Sequence, residues 1–139
     1  MLAIAGCVLV AGCVGPGPDD GGYRVDARTT VQAAASEVNT AILMLQQEVS
    51  KHTFHNFANV TVTDSESALG DVASTFESIQ PPVGQIGLRE QVTDQLSEAQ
   101  NAMSAGLIAL RYHDEEGMQT AVEDLQKAAD GLDQIEGQL

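Results

Sequence analysis

Glu48, His52 and His55 have the residue types and the spacing of a metal site. They fall at i, i+4 and i+7, so a helix continuing through them sets all three on one face. Neutral imidazoles with a carboxylate are donors that suit zinc or copper. The competing reading is a solvated connector, because two histidines in the polar stretch KHTFHN need no ligand to explain them. A second place for a cation is His113 beside Asp114-Glu115-Glu116. There, however, Asp114 is also placed to cap a following helix, and acids favour the positive end of a helix without any ion. Asn59-Val60-Thr61 carries the acceptor pattern for N-glycosylation, in what reads as a connector between helices, and it matters only outside the cell.

Other chemistry finds no apparatus. No Glu-x-x-His motif and no acid or histidine on the apolar stripes described below would build a di-metal bundle core. Haem attachment through Cys-x-x-Cys-His is absent. No Ser-His-Asp spacing, glycine-rich phosphate loop or isolated acid pair stands out, so no catalytic residues and no cofactor are expected.

Composition narrows the partners. Twenty acidic residues against six basic ones give a net charge of -14, which repels nucleic-acid phosphates and anionic headgroups. Such a balance also suits a surface that stays soluble in concentrated salt. Hydrophobic residues make up 43% but aromatics only 4%, with no Trp, so the core must be aliphatic and small, the residue set of packed helices. A chain of 139 residues holds one domain with one modest core.

The N-terminal part reads as a targeting segment. Leu2 to Val14 is apolar and uncharged, too short for the roughly 20 residues of a spanning helix but of the length of a signal-peptide core. Its end, Val10-Ala11-Gly12-Cys13, resembles the lipobox of prokaryotic membrane lipoproteins. That resemblance implies removal of residues 1–12, lipidation of Cys13 and attachment to the membrane through acyl chains. Ile4-Ala5-Gly6-Cys7 matches the same pattern, and no Lys or Arg precedes the apolar run as a signal peptide's n-region normally requires. A start further upstream would account for that, and would make Cys7 the better site. Two buried apolar cysteines in an anchor helix are the alternative, and a Cys7–Cys13 disulfide would have little to staple. VGPGPDDGG, residues 14–22, then reads as a wet, irregular leash.

The elements that position these groups follow from period. Val31, Ala35, Val38, Ile42, Leu45 and Val49 are spaced 4, 3, 4, 3, 4, one stripe of a helix opening near Asp26 or Thr29 and ending between Ser50 and Asn59. Thr63-Asp64-Ser65-Glu66 reads as a capping box that opens a second helix, with Leu69, Val72, Phe76 and Ile79 inward and Pro81-Pro82 as its stop. A third opens between Val83 and Leu88, carries Leu88, Val92, Leu96, Ala99, Met103, Leu107 and Leu110, and runs to about Tyr112. Asp114 caps the fourth, with Met118, Ala121, Leu125, Ala128, Leu132, Ile135 and Leu139 inward. Short links make antiparallel neighbours. The expectation is therefore an all-α, up-down-up-down four-helix bundle over 26–139, with residues 13–25 as lipidated cysteine and tether. A long helical hairpin completing its core as a dimer uses the same stripes.

Function follows as an expectation: a membrane-anchored, extracytoplasmic, non-enzymatic module that binds another protein or a cell-surface component, or serves structurally there. The alternative is a sensory or solute-binding module that takes a small ligand or metal between helices, with His52 and His55 at its mouth.

Overall fold

The structure, a computed structural model, describes residues 19–139; the stretch expected to be a signal segment, with Cys7 and Cys13, lies outside the described residues. Four helices follow one another: α1 Asp20–Val49, α2 His55–Ser78, α3 Ile86–Arg111 and α4 Glu115–Glu136, with one 3-10 turn, Val83–Gln85, ahead of α3. Each helix packs on its two neighbours in a ring; α1 also touches α3 across the diagonal, whereas α2 and α4 do not meet. This is the all-α four-helix bundle expected from the stripes. One end, here called the base, holds the start of α1, the α2–α3 connection and the end of α4. The other, the tip, holds the α1–α2 and α3–α4 connections.

The core is one apolar cluster in which α3 and α4 follow the predicted stripes nearly residue for residue, from Val92 to Leu110 and from Met118 to Ile135. On α1 the buried positions are Tyr23, Ala27, Val31, Ala34, Val38, Ala41, Ile42 and Leu45. Ala34 and Ala41 thus replace the predicted Ala35, which packs only at the margin. Small residues let the helices approach closely. A Cβ built on Gly106 of α3 would lie 2.8 Å from Leu45 Cδ1 and 3.2 Å from Ala121 Cβ, so glycine there is what admits α1 and α4 side chains against α3.

Two boundaries and one candidate site differ from expectation. First, α1 opens at Asp20, capped by Asp19, whose side chain accepts from the Gly22 amide at 2.7 Å. Asp26 and Thr29 lie inside the helix. Burial of Tyr23 and Ala27 at 0% exposure carries the stripe back past Gly21-Gly22, and residues 20–25 are helix instead of leash. Second, α2 opens at His55, eight residues before the supposed capping box. Ala58 and Val62 are buried and continue the stripe through that segment. Inside the helix, Ser65 is itself buried, and Glu66 accepts from the Ser104 hydroxyl of α3 at 2.5 Å. Third, Asn59 sits half-buried in the second turn of α2, so the glycosylation pattern lacks the loop context on which that reading rested.

Elsewhere the punctuation is as read. α2 ends at Ser78 before Pro81-Pro82, and Arg89 of α3 donates to the carbonyls of Ile79 and Glu77 at 2.8 and 2.9 Å, serving orphan acceptors at a helix end with no basic residue of its own. Asp114 caps α4 through the Gly117 amide at 3.0 Å. At the base, Tyr23 packs on Phe76 with ring centroids 5.6 Å apart. The Tyr23 hydroxyl is buried without a hydrogen-bond partner among the described residues, and burial pushes its pKa above the ordinary value of 10.0, opposed in part by the charge of Arg89 and reinforced by Asp26.

Candidate functional site

Both tip connections are built alike. At the end of α1 the amide of Lys51 donates to Glu48 O and that of His52 to Gln47 O, each at 2.9 Å. At the end of α3 the amide of His113 donates to Leu110 O at 3.1 Å and that of Asp114 to Ala109 O at 2.9 Å. These are paired Schellman closures, which put one residue past each helix into the left-handed region. Glycine is the ordinary occupant of that position; here it is Lys51, with φ 58°, and His113, with φ 55°. Left-handed backbone costs a side-chain-bearing residue about 1–2 kcal/mol, so each turn holds its side chain at an energetic cost.

The two turns meet. Lys51 Nζ lies 3.3 Å from Glu115 Oε1, an exposed pair linking the first connection to the first turn of α4. Beneath it, His55 Nδ1 stands 2.9 Å from Glu48 Oε1, with the Glu48 side chain only 13% exposed. The His55 and His113 rings lie 4.1 Å apart by centroid, tilted by 32°. One donor atom from each of Glu48, His55 and His113 falls within 4.8 Å of the other two.

The predicted trio is therefore regrouped. Glu48 and His55 are brought together, but by a turn and not by a continuing helix, because α1 stops at Val49 and α2 begins at His55. His52 sits in the connector between them, exposed, and is not part of the cluster. His113 takes its place. The signal for that was topological: in an up-down-up-down bundle the first and third connections share one end, which brings the histidine of one beside the histidine of the other.

A second feature of the tip concerns surface. The chain has three Phe and two Tyr. Tyr23 and Phe76 are buried at the base, whereas Phe54, Phe57 and Tyr112, which belong to the tip, are exposed by 86%, 59% and 81%. From the tip an open groove runs between α3 and α4, floored by Ala105, Ile108, Ala109, Gly117 and Ala121, with Tyr112 at its head and Asp114, Glu116 and Asp124 along it. The tip thus combines bulky exposed apolar surface with carboxylates.

No helix among the described residues is long and apolar enough to cross a membrane. Comparison of the chain with protein-family models, curated proteins and solved structures finds no match.

Proposed function

We propose that this chain is a lipid-anchored extracytoplasmic protein that works without catalysis, as an interaction module docking a basic, amphipathic protein surface at its tip. The observation that carries the reading is the segregation of aromatics: every exposed Phe and Tyr among the described residues belongs to the tip, the end opposite the start of α1. With Cys13 as anchor and only residues 14–19 between it and α1, the base would face the bilayer. The 30 residues of α1 would then carry the tip about 45 Å outward. A rigid stalk presenting aromatics and an acidic groove at its outer end fits recognition better than it fits a small-molecule site, since the space between the helices is filled by the apolar cluster.

Two measurements on membranes of expressing cells test this. Intact-mass analysis of the mature N-terminus should find a diacylated or triacylated Cys13, and Cys13→Ser should release the protein or leave the precursor uncleaved; an unmodified Cys13 behind a retained Met1 removes the anchor. A photo-crosslinking residue at Tyr112 or Phe54 should give a discrete adduct that one at Val83, 90% exposed at the base, does not. Equal adducts from both ends remove the tip as the docking face.

A further inference from the structure

We propose that Glu48, His55 and His113 bind one divalent transition-metal ion of the zinc class, which staples the two connections at the tip to each other. The inference stands on the cluster itself and does not depend on the anchor or on a protein partner.

The donor set is the first reason. Two imidazoles and one carboxylate are the ligands of three-residue zinc sites, with a fourth position left for water. The three come from three separate elements: the last turn of α1, the first residue of α2 and the α3–α4 turn. Ligands drawn from different elements give a metal its stapling effect, because the ion is held only when both hairpins are in register.

Distances are the second. Zinc bonds of about 2.0–2.1 Å at tetrahedral angles place neighbouring donors about 3.3 Å apart. Glu48 Oε1 and His55 Nδ1 stand at 2.9 Å, already near that edge, and the third donor lies within 4.8 Å of both. Side-chain rotation about His113, which is exposed, is enough to close the remainder. The ion would enter from the solvent side of His113, opposite the mostly buried Glu48 carboxylate.

Backbone cost and charge are the third and fourth. His113 occupies a left-handed position, and no glycine among the described residues does so. Strain of this kind concentrates where a side chain is needed in one place. The site unites a carboxylate with two imidazoles in a chain of net charge -14, so a dication is drawn to it by the field of the whole molecule. The one lysine at the tip, Lys51, has its ammonium turned to Glu115.

The test uses the full chain in mild detergent, with Cys7→Ser and Cys13→Ser so that thiolates do not compete for metal. Zinc chloride titration by calorimetry should give one ion per chain, and the melting temperature should rise by several degrees at about hundred-fold excess over Kd. His113→Gly is the decisive variant, because glycine keeps the left-handed turn while removing the ligand. It should weaken binding by at least the 10–100-fold that even outer partners of a metal site cost, and Glu48→Gln should do the same. His52→Gln should leave Kd unchanged. The proposal is overturned by an absence of heat and of a melting shift in the parent, by binding that survives His113→Gly, which would mark scattered surface carboxylates, or by His52→Gln weakening binding as much as His113→Gly.

Discussion

Leu45 of α1 fills the space that a side chain on Gly106 of α3 would need: a Cβ at residue 106 would stand 2.8 Å from Leu45 Cδ1. The Ala121 methyl stands on the other side at 3.2 Å, and both Leu45 and Ala121 are buried in the core. Gly106→Ala should therefore destabilise the bundle by about 1–3 kcal/mol from overpacking, despite the better helix propensity of alanine. Gly70, in the interior of α2, meets only the Gln100 amide nitrogen, at 3.9 Å. Gly70→Ala should stabilise by about 0.5–1 kcal/mol. Urea unfolding followed by far-ultraviolet dichroism separates the two, and a Gly106→Ala protein as stable as the parent would show that the α1–α3 diagonal is loosely packed.

Leu125 and Leu45 are both at 0% exposure, while Leu43 on α1 is 50% exposed. Truncating either buried leucine to alanine should cost about 2–5 kcal/mol. Leu43→Ala should stay within about 0.5 kcal/mol of the parent. Denaturant midpoints at unchanged slope are the measurement, and a large loss on truncating Leu43 would place a partner or second copy over that face.

Lys51 holds a left-handed backbone for the sake of an exposed pair with Glu115. Exposed pairs of this type contribute at most about 1 kcal/mol, comparable to the backbone strain. Lys51→Gly should consequently leave stability level or raise it by up to about 1 kcal/mol in metal-free protein. A loss of more than that, read from thermal unfolding in EDTA, would mean that the Lys51 side chain makes a larger contribution than its geometry supports.

The buried Tyr23 hydroxyl, without a partner among the described residues, is a cost of about 1–3 kcal/mol in a folded protein. Tyr23→Phe should raise stability at neutral pH while keeping the stack on Phe76. The alkaline limb has a definite sign. Because burial raises the folded-state pKa above 10.0, the folded chain keeps a proton that the unfolded chain releases, so stability falls as pH climbs through 10 toward the folded value. Tyr23→Phe should flatten that fall, and parallel pH profiles for the two proteins would overturn the assignment.

Most of the architecture was legible because most of it is periodic. α4 was legible but for Val122, buried and unread, and Leu139, which lies past its end: Asp114 is a strong cap, and the residues from Met118 to Ile135 repeat every three or four positions. The start of α2 was not, since Thr63-Asp64-Ser65-Glu66 satisfies the local chemistry of a helix opening while Ala58 and Val62 upstream carry too little apolar weight to announce a stripe. Burial of those two small residues against the other helices decided the matter. Ala34 and Ala41 were missed for the same reason, alanine being equally at home on either side of a helix. At the tip, Glu48 and His55 were legible as a pair and His113 as a separate place for a cation, but their union was not. Local spacing cannot join residues from the first and third connections; the bundle has to be closed first, and only then do two turns become neighbours.

The placement of the two tyrosines has a practical corollary. With no Trp in the chain, ultraviolet absorption and emission come mainly from Tyr23, sealed against Phe76, and Tyr112, standing in solvent at the far pole. Only the sealed ring sits in a fixed asymmetric environment, so near-ultraviolet dichroism watches the base. Quenching by iodide or acrylamide reaches only the other ring and watches the tip. The molecule thus carries its own pair of optical gauges, one for each pole, and loosening at either can be followed without attaching a dye.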